Sequence, residues 1–253
     1  MDRKRVPGPE LSVAPLVEYP VGYKRWTPLE EKRHDLKRQT EDMRPIYLKT
    51  GLINQANGSA YIELEKTKLA CGVYGPRPAK KLGGILSTKG TLNCEIKFAT
   101  FSCAKRRSNV RVLLESDGFG SCLAAAITAA SVALAHAGIE MLDLVAGCSA
   151  SYIQIGPNPA SISSRTSSSK ARGSISTQIF MDADLEEEKY EQGAIVLAYM
   201  PSLNEITHVL QSGKAEGSTI SKSVEYCVEA CNKIYAVMHH ALLESINENK
   251  EAL

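Results

Sequence analysis

The spacing of apolar residues changes along this chain, and that change limits the possible folds more than any other feature. Between residues 46 and 74 apolar side chains tend to occupy every second position, which is typical of strands with one buried face. Residues 119–137 are instead rich in Ala, and between 220 and 242 apolar residues recur every three or four positions, as on one face of a helix. The order predicts a β-meander, a helix, a second sheet and a closing helix, which is an α/β (α+β) fold.

Turn and cap signals place the individual elements. Asn57-Gly58 predicts a two-residue hairpin turn, in which both positions need a positive φ. The Ala-rich helix is expected to end at Gly138, and Ser218 or Thr219 is expected to cap the last helix. The predicted strands, in chain order, begin at Ile46 and then cover 60–64, 67–74, 92–98, 142–153, 179–181, 194–200 and 206–210.

The first 42 residues differ from the rest of the chain. They contain five of the eleven prolines and no sustained apolar period, so we expect an extended arm with at most one helical turn near residues 30–38. Such a segment is either an arm that wraps a partner or a disordered tail. We expect residues 43–248 to form one domain, which carries a basic loop over 77–111 and a flexible Ser-rich loop over 156–177, a candidate phosphorylation segment.

Composition excludes several classes of protein. The net charge of +2 argues against a strongly basic nucleic-acid coat, and no apolar run approaches the roughly 18 residues that a membrane helix needs. The start of the chain lacks the apolar core of a signal peptide. Seven cysteines, an odd number without a Cys-x-x-Cys pair, indicate a reducing compartment. We therefore expect a soluble, unsecreted protein without membrane contact.

Charge is unevenly distributed, and this points to a candidate RNA-binding surface. Residues 77–111 carry nine basic residues and one acid, whereas residues 182–253 carry thirteen acids and five bases. Clustered cations release counterions when they meet phosphates, so this basic loop is the best candidate for contact with RNA. The alternative is an exposed basic loop without a ligand. The candidate RNA-binding residues are Lys105, Arg106, Arg107, Arg111 and, more weakly, Arg77.

Taken alone, the residues indicate no catalytic centre. The acidic run between Asp182 and Glu188 could hold a hydrated Mg²⁺, but a solvated turn is the favoured interpretation. Cys227 and Cys231 share a helix face and could bind a metal, yet two buried small side chains explain the spacing better. Glycine motifs for nucleotides and a nucleophile elbow are both missing. We therefore predict no catalytic residues, no metal and no cofactor.

Ten short strings of the sequence together match the pattern of one family. The strings are Met43–Ile46, Gly51–Ile53, Asn57–Tyr61, Thr67–Cys71, Tyr74–Arg77, Ala124–Gly138, Asp143–Cys148, Leu185–Glu188, Met200–Asn204 and Gly213–Gly217. They cover about residues 43–245, and their combination is specific. They resemble the RNase PH family, which comprises phosphorolytic 3′ exoribonucleases and related exosome subunits.

The resemblance implies a βαβα arrangement of the ribosomal-protein-S5-domain-two type. It also implies a six-membered ring of RNase PH-like exosome subunits, an S1-domain cap protein and RNA as partners, and a place in nucleus, nucleolus and cytoplasm.

Two departures from the family pattern predict a non-catalytic subunit. The phosphate-binding Gly-Gly-Thr-Arg of the family falls on residues 120–123, where Leu123 replaces the arginine and cannot bind phosphate. The metal-binding acid pair of the family falls on Glu188 and Ala194, so one ligand is lost. The resemblance thus implies a structural ring subunit that supports 3′–5′ RNA processing and degradation. An active phosphate-dependent exoribonuclease and a free-standing RNA-binding module are the alternatives.

A third departure concerns the length of the chain. Between Asn109 and Val110 relatives of this subunit carry about thirty further residues, including a long helix, whose loss would expose apolar sheet surface. We expect this form of the chain to be a splice or gene-model variant, or to lack a core helix.

Overall fold

The computed structural model describes residues 33–34, 37–77, 90–99, 102, 120–155 and 176–251. The chain divides into two compact units. The larger unit consists of Trp26–Pro78 with Asp117–Leu253, and the smaller consists of Met1–Arg25 with Ala79–Ser116. All helices and strands named below lie in the larger unit. The extent of the folded domain over 43–248 stays a prediction.

Three antiparallel strands form the first sheet, in the order β1-β2-β3. They are β1 (Ile46–Thr50), β2 (Gly58–Leu64) and β3 (Thr67–Val73). Leu48, Ile62 and Leu64 are buried on one face, whereas Tyr47 on the opposite face is exposed. This confirms the predicted meander. The alternating apolar side chains lie on the one face of the sheet that packs against the core.

The hairpin predicted at Asn57-Gly58 is wrong. Neither residue has a positive φ, and residues 51–57 form the whole connection between β1 and β2. The tight reversal lies instead between β2 and β3 at Glu65, whose φ is 56°. Gly58 is needed for packing, since a Cβ there would lie 2.3 Å from the carbonyl oxygen of Ala133 in the first helix.

The first helix, α1, spans Gly120–His136 and contacts all three strands of the first sheet. It ends as predicted before Gly138, whose φ is 71°. Small side chains let it approach the second sheet closely: a Cβ at Gly147 would lie 2.5 Å from the carbonyl oxygen of Ala124. The helix therefore lies between the two sheets.

The second sheet has four antiparallel strands in the order β5-β4-β6-β7. Its first strand begins four residues later than predicted, because Asp143 accepts a hydrogen bond from the backbone of Leu144 and Leu142 is 90% exposed. In β7, eight of nine residues are exposed, which marks a sheet edge that no helix covers. The strands are β4 (Ala146–Ile155), β5 (Ser176–Met181), β6 (Glu191–Met200) and β7 (Glu205–Gly213).

The described residues of the larger unit form two further helices, the short α2 (Leu185–Glu188) and the long α3 (Gly217–Glu251). Because α3 begins at Gly217, Ser218 and Thr219 lie inside its first turn, and the predicted cap is wrong. Cys227 and Cys231 are fully buried in the core that α3 shares with the sheets, as the favoured interpretation of their spacing predicts. None of the helices described is apolar over a length that would cross a membrane.

The strand predicted at 92–98 is also wrong. Residues 90–99, which belong to the smaller unit, have no regular secondary structure, and Leu92 is 64% exposed. An alternating pattern forms a strand only when a neighbouring strand accepts its backbone hydrogen bonds, and these residues take part in no ladder. In the arm, residues 33, 34, 37 and 38 are not helical. Residues 156–175 of the predicted Ser-rich loop lie outside the described residues, and Ser176 and Thr177 belong to β5.

Candidate functional site

The positions that carry the departures from the family pattern lie together at the start of α1. Ser121 donates a hydrogen bond of 3.1 Å from its hydroxyl to Oε1 of Glu188. A Cβ at Gly120 would lie 4.0 Å from the Cβ of Ala194 on β6. The first turn of α1, the end of α2 and the start of β6 thus converge at one place, which we name the α1 site: Gly120, Ser121, Glu188 and Ala194. Leu123 lies in the same first turn of α1.

The carboxyl group of Glu188 is buried at this site. Burial raises its pKa to about 8, and the nearby negative charge of Glu191 acts in the same direction. The hydrogen bond from Ser121 and the positive charge of Arg44 reduce this shift without cancelling it. Burial therefore favours the neutral form of the Glu188 carboxyl group.

The acidic run preceding this site is not a solvated turn, and that prediction is corrected. Asp182 is buried, has a φ of 47° and receives hydrogen bonds from Nε and Nη2 of Arg44 at 2.8 and 2.6 Å. Burial alone would lower the pKa of Arg44, but the hydrogen bond and the charges of Asp182 and Asp184 raise it overall. The two groups therefore form a buried ion pair that ties the segment before β1 to the end of β5.

A second buried arginine binds the same run. Arg33 contacts both carboxylate oxygens of Glu187, with Nη2 2.9 Å from Oε2 and Nε 3.1 Å from Oε1. Its guanidinium also donates to the carbonyl oxygen of Met181 and lies 5.1 Å from the ring centroid of Phe180. Glu187 is fully buried, so the arm that contains Arg33 is anchored on the second sheet.

The sequence contained a signal for the local fold of this run. Asp184-Leu185-Glu186-Glu187 has the spacing of a capping box, in which Asp184 caps α2 and Glu187 accepts a hydrogen bond from the Asp184 backbone. The two arginine partners gave no such signal, because they lie well over a hundred residues away along the chain. Among the residues that the structure describes, no cluster of His, Cys, Asp and Glu could hold a metal ion.

The predicted RNA-binding residues are only partly covered by the structure. Arg77 is exposed and lies in the larger unit, in the segment without regular structure that follows β3. Lys105, Arg106, Arg107 and Arg111 lie outside the described residues. The role of these five residues in RNA binding therefore stays a prediction.

Comparisons with known proteins show what the chain resembles. Residues 42–112 match the model of the 3′ exoribonuclease family, domain 1. The chain is 32% identical to the exosome complex component mtr3 of Schizosaccharomyces pombe, over 96% of each protein. It is also 32% identical to the human exosome complex component MTR3, over 96% of the chain and 95% of the relative. It is 30% identical to Rrp41 of Pyrococcus furiosus, over 82% and 86%.

A solved structure supports the fold. The crystal structure of rice Rrp46 matches with a TM-score of 0.55 at 17% identity, over 81% of this chain and 98% of the other. The alignment with the S. pombe relative also bears on the length of the chain. It runs over 277 positions, more than the 253 residues of this chain, so the alignment contains gaps in this chain. The segment expected to be missing between Asn109 and Val110 stays a prediction.

Proposed function

The chain belongs to the RNase PH family, and from this premise we propose that it is a non-catalytic structural subunit of the RNA exosome. As such it supports 3′–5′ RNA processing and degradation without cleaving RNA itself. Three relatives that align with 96% of this chain are named as exosome complex components, which favours assembly with other exosome subunits.

The proposal that the chain is catalytically inert rests on the residues of the α1 site and its first helical turn. Phosphorolysis needs positive charge to bind the attacking phosphate, and usually a metal ion to neutralise the charge that develops. In the first turn of α1 Leu123 supplies no charge, Ala194 supplies no ligand, and the one carboxyl group at the α1 site, that of Glu188, is buried and accepts a hydrogen bond from Ser121. The residues present thus offer neither a phosphate clamp nor a pair of carboxylates.

The second sheet offers a surface for a neighbouring subunit. At the edge strand β7, Ile206 is 45% exposed and Val209 is 43% exposed. An edge strand with unpaired backbone groups and exposed apolar side chains is a template for pairing with another chain. We propose that β7 faces another RNase PH-like subunit in a six-membered ring, with an S1-domain cap protein above it.

The basic loop is proposed to contact RNA within this assembly. Arg77 is exposed, and Lys105, Arg106, Arg107 and Arg111 extend the same basic stretch of sequence. Contacts to phosphates carry no base information, so this role is independent of RNA sequence. Because the proposed assembly handles nuclear and cytoplasmic RNA, we propose that the chain resides in the nucleus, the nucleolus and the cytoplasm.

A phosphorolysis assay tests the proposal of inertness. The purified chain is incubated with single-stranded RNA, Mg²⁺ and inorganic phosphate, and release of nucleoside diphosphates is measured. We expect no release above a reaction without protein, whereas an active RNase PH enzyme in the same buffer serves as positive control. Phosphate-dependent release that disappears when phosphate is omitted would support the alternative, an active exoribonuclease.

A further inference from the structure

The outward face of the first sheet carries aromatic and basic side chains that the proposed function does not yet use. Tyr47 and Lys49 lie on β1, Tyr61 lies on β2, and Lys68 lies on β3. Tyr74 directly follows β3. We name these five residues the tyrosine face.

The rings of this face are held open to solvent by the sheet beneath them. Tyr47 is 55% exposed and Tyr74 is 56% exposed, although Leu48 and Ile62 on the opposite side are buried in the core. The rings of Tyr47 and Tyr61 pack edge to face with centroids 6.5 Å apart. Strand pairing sets this arrangement, because Lys49 is the register partner of Tyr61.

A glycine makes room for the third ring. A Cβ at Gly72 would lie 3.6 Å from the ring of Tyr74, so that ring rests over Gly72 on β3. Aromatic surface therefore lies on β1, on β2 and over β3. Rings fixed on a sheet lose little conformational freedom when a flat ligand stacks on them.

The charge on this face favours a negatively charged ligand. Glu63 is the register partner of Tyr47, but its carboxylate accepts hydrogen bonds from Lys68 at 2.9 Å and from the Tyr61 hydroxyl at 3.0 Å. These contacts lower the pKa of Glu63, with Lys68 as the main cause. Lys49 adds a second positive charge, so this face carries two lysines and one carboxylate, that of Glu63.

We propose that the tyrosine face binds single-stranded RNA, with bases stacked on Tyr47 and Tyr74 and a phosphate near Lys49. Every base has a π-face, so exposed aromatic rings on a sheet bind single strands with little sequence preference. Tyr is enriched but Lys and Glu are depleted in the cores of protein–protein interfaces, so the two lysines and Glu63 among these rings favour RNA over a protein partner. The choice of RNA rests on the proposed function, and the exposed Arg77 lies three residues beyond Tyr74.

The test uses the chain co-expressed with the other exosome subunits, and the anisotropy of a fluorescein-labelled oligouridylate as probe. Replacing Tyr47 and Tyr74 by Ala should weaken binding about fivefold or more per ring, whereas replacement by Phe should leave it almost unchanged because the stacking surface remains. Lys49→Ala should reduce the slope of log affinity against log salt by about 0.7. Lys233→Ala, which removes an exposed lysine from α3, is the matched control.

Photocrosslinking and assembly of the variants provide independent measurements. Photocrosslinking of the unsubstituted complex to RNA that contains 4-thiouridine should attach to Tyr47 or Tyr74. Crosslinks that fall only elsewhere would overturn the inference, as would unchanged affinity of the Ala variants in an intact complex. Loss of assembly in the Ala variants but not in the Phe variants would instead identify a protein interface. If the unsubstituted chain forms no complex at all, the proposed function itself has failed.

Discussion

The hydroxyl of Ser121 donates its hydrogen bond to Glu188 across the point where α1 meets the turn before β6. This contact fixes a buried carboxyl group beside the first turn of a helix, at the place where the family pattern would require a metal ligand. Burial favours the neutral form of this carboxyl group, so its protonation is coupled to folding.

The first prediction concerns pH. Burial raises the pKa of Glu188 from 4.5 to about 8, so the folded protein binds this proton more tightly than the unfolded chain does. The stability that Glu188 contributes is therefore full below about pH 4.5 and is lost progressively as the pH rises to 8. Glu188→Gln stays neutral and should not lose this stability. Its free energy of unfolding should therefore increase relative to that of the wild type by a few kcal/mol between pH 5 and 8.

The measurement is the free energy of unfolding in urea at several pH values. Glu248→Gln, at an exposed position on α3, controls for the loss of one carboxylate. If the difference in free energy of unfolding between Glu188→Gln and the wild type did not change with pH, Glu188 would be charged in the folded protein. The assignment of a protonated carboxyl group would then be wrong.

The second prediction concerns the buried pair of Arg44 and Asp182. Arg44→Met should cost about 3–5 kcal/mol of stability, because Asp182 would remain buried without its partner. Adding Asp182→Asn should recover part of the loss, since Asn tolerates the positive φ at this position. Lys233→Met, which breaks the exposed pair with Glu229, should hardly change the melting temperature. If Arg44→Met and Lys233→Met lowered the melting temperature equally, the pair of Arg44 and Asp182 would be exposed to solvent.

The third prediction concerns the contact between β2 and α1. Gly58→Ala should destabilise the protein by about 1–3 kcal/mol, because the new methyl group would collide with the backbone of Ala133 and Ala137. Gly217→Ala is the matched control, since nothing lies within 4 Å of a Cβ at that position. Thermal unfolding of both variants checks the difference. A Gly58→Ala variant as stable as the control would mean that β2 and α1 are further apart.

Much of the fold could be predicted because local patterns determine it. The alternation along β1 and β2 and the apolar stripe of α3 identify elements whose buried faces are set by sequence period alone. The errors arose where a long-range contact decides the conformation. Gly58 has the sequence of a hairpin turn, but its lack of a side chain serves packing against Ala133, which no local pattern reveals.

In the candidate site, too, local patterns were predictable and long-range contacts were not. The resemblance of the sequence to the family pointed to residues 120–123, Glu188 and Ala194, and the structure brings Ser121 to Glu188 and Gly120 to Ala194. The ion pairs behind them could not be predicted, because a charged run looks the same whether its partners are water or distant arginines. Only the capping box formed by Asp184 and Glu187 was visible locally.

The fourth prediction concerns assembly through β7. Replacing Ile206 and Val209 by Lys should leave the fold intact, since both side chains are already exposed, but should prevent co-purification with other exosome subunits. Replacing Leu243 and Ile246 by Lys adds the same charges to a similarly exposed part of α3. We expect this control to co-purify normally. Normal co-purification of the β7 variant would exclude the edge strand as the interface.

Native mass spectrometry of the affinity-purified chain, co-expressed with the other exosome subunits, tests directly whether the chain is a structural subunit of the exosome. We expect a discrete complex in which one copy of this chain is bound to other RNase PH-like subunits. A chain that is recovered only as a monomer or as a homo-oligomer, while the other subunits assemble without it, would contradict a structural role in the exosome.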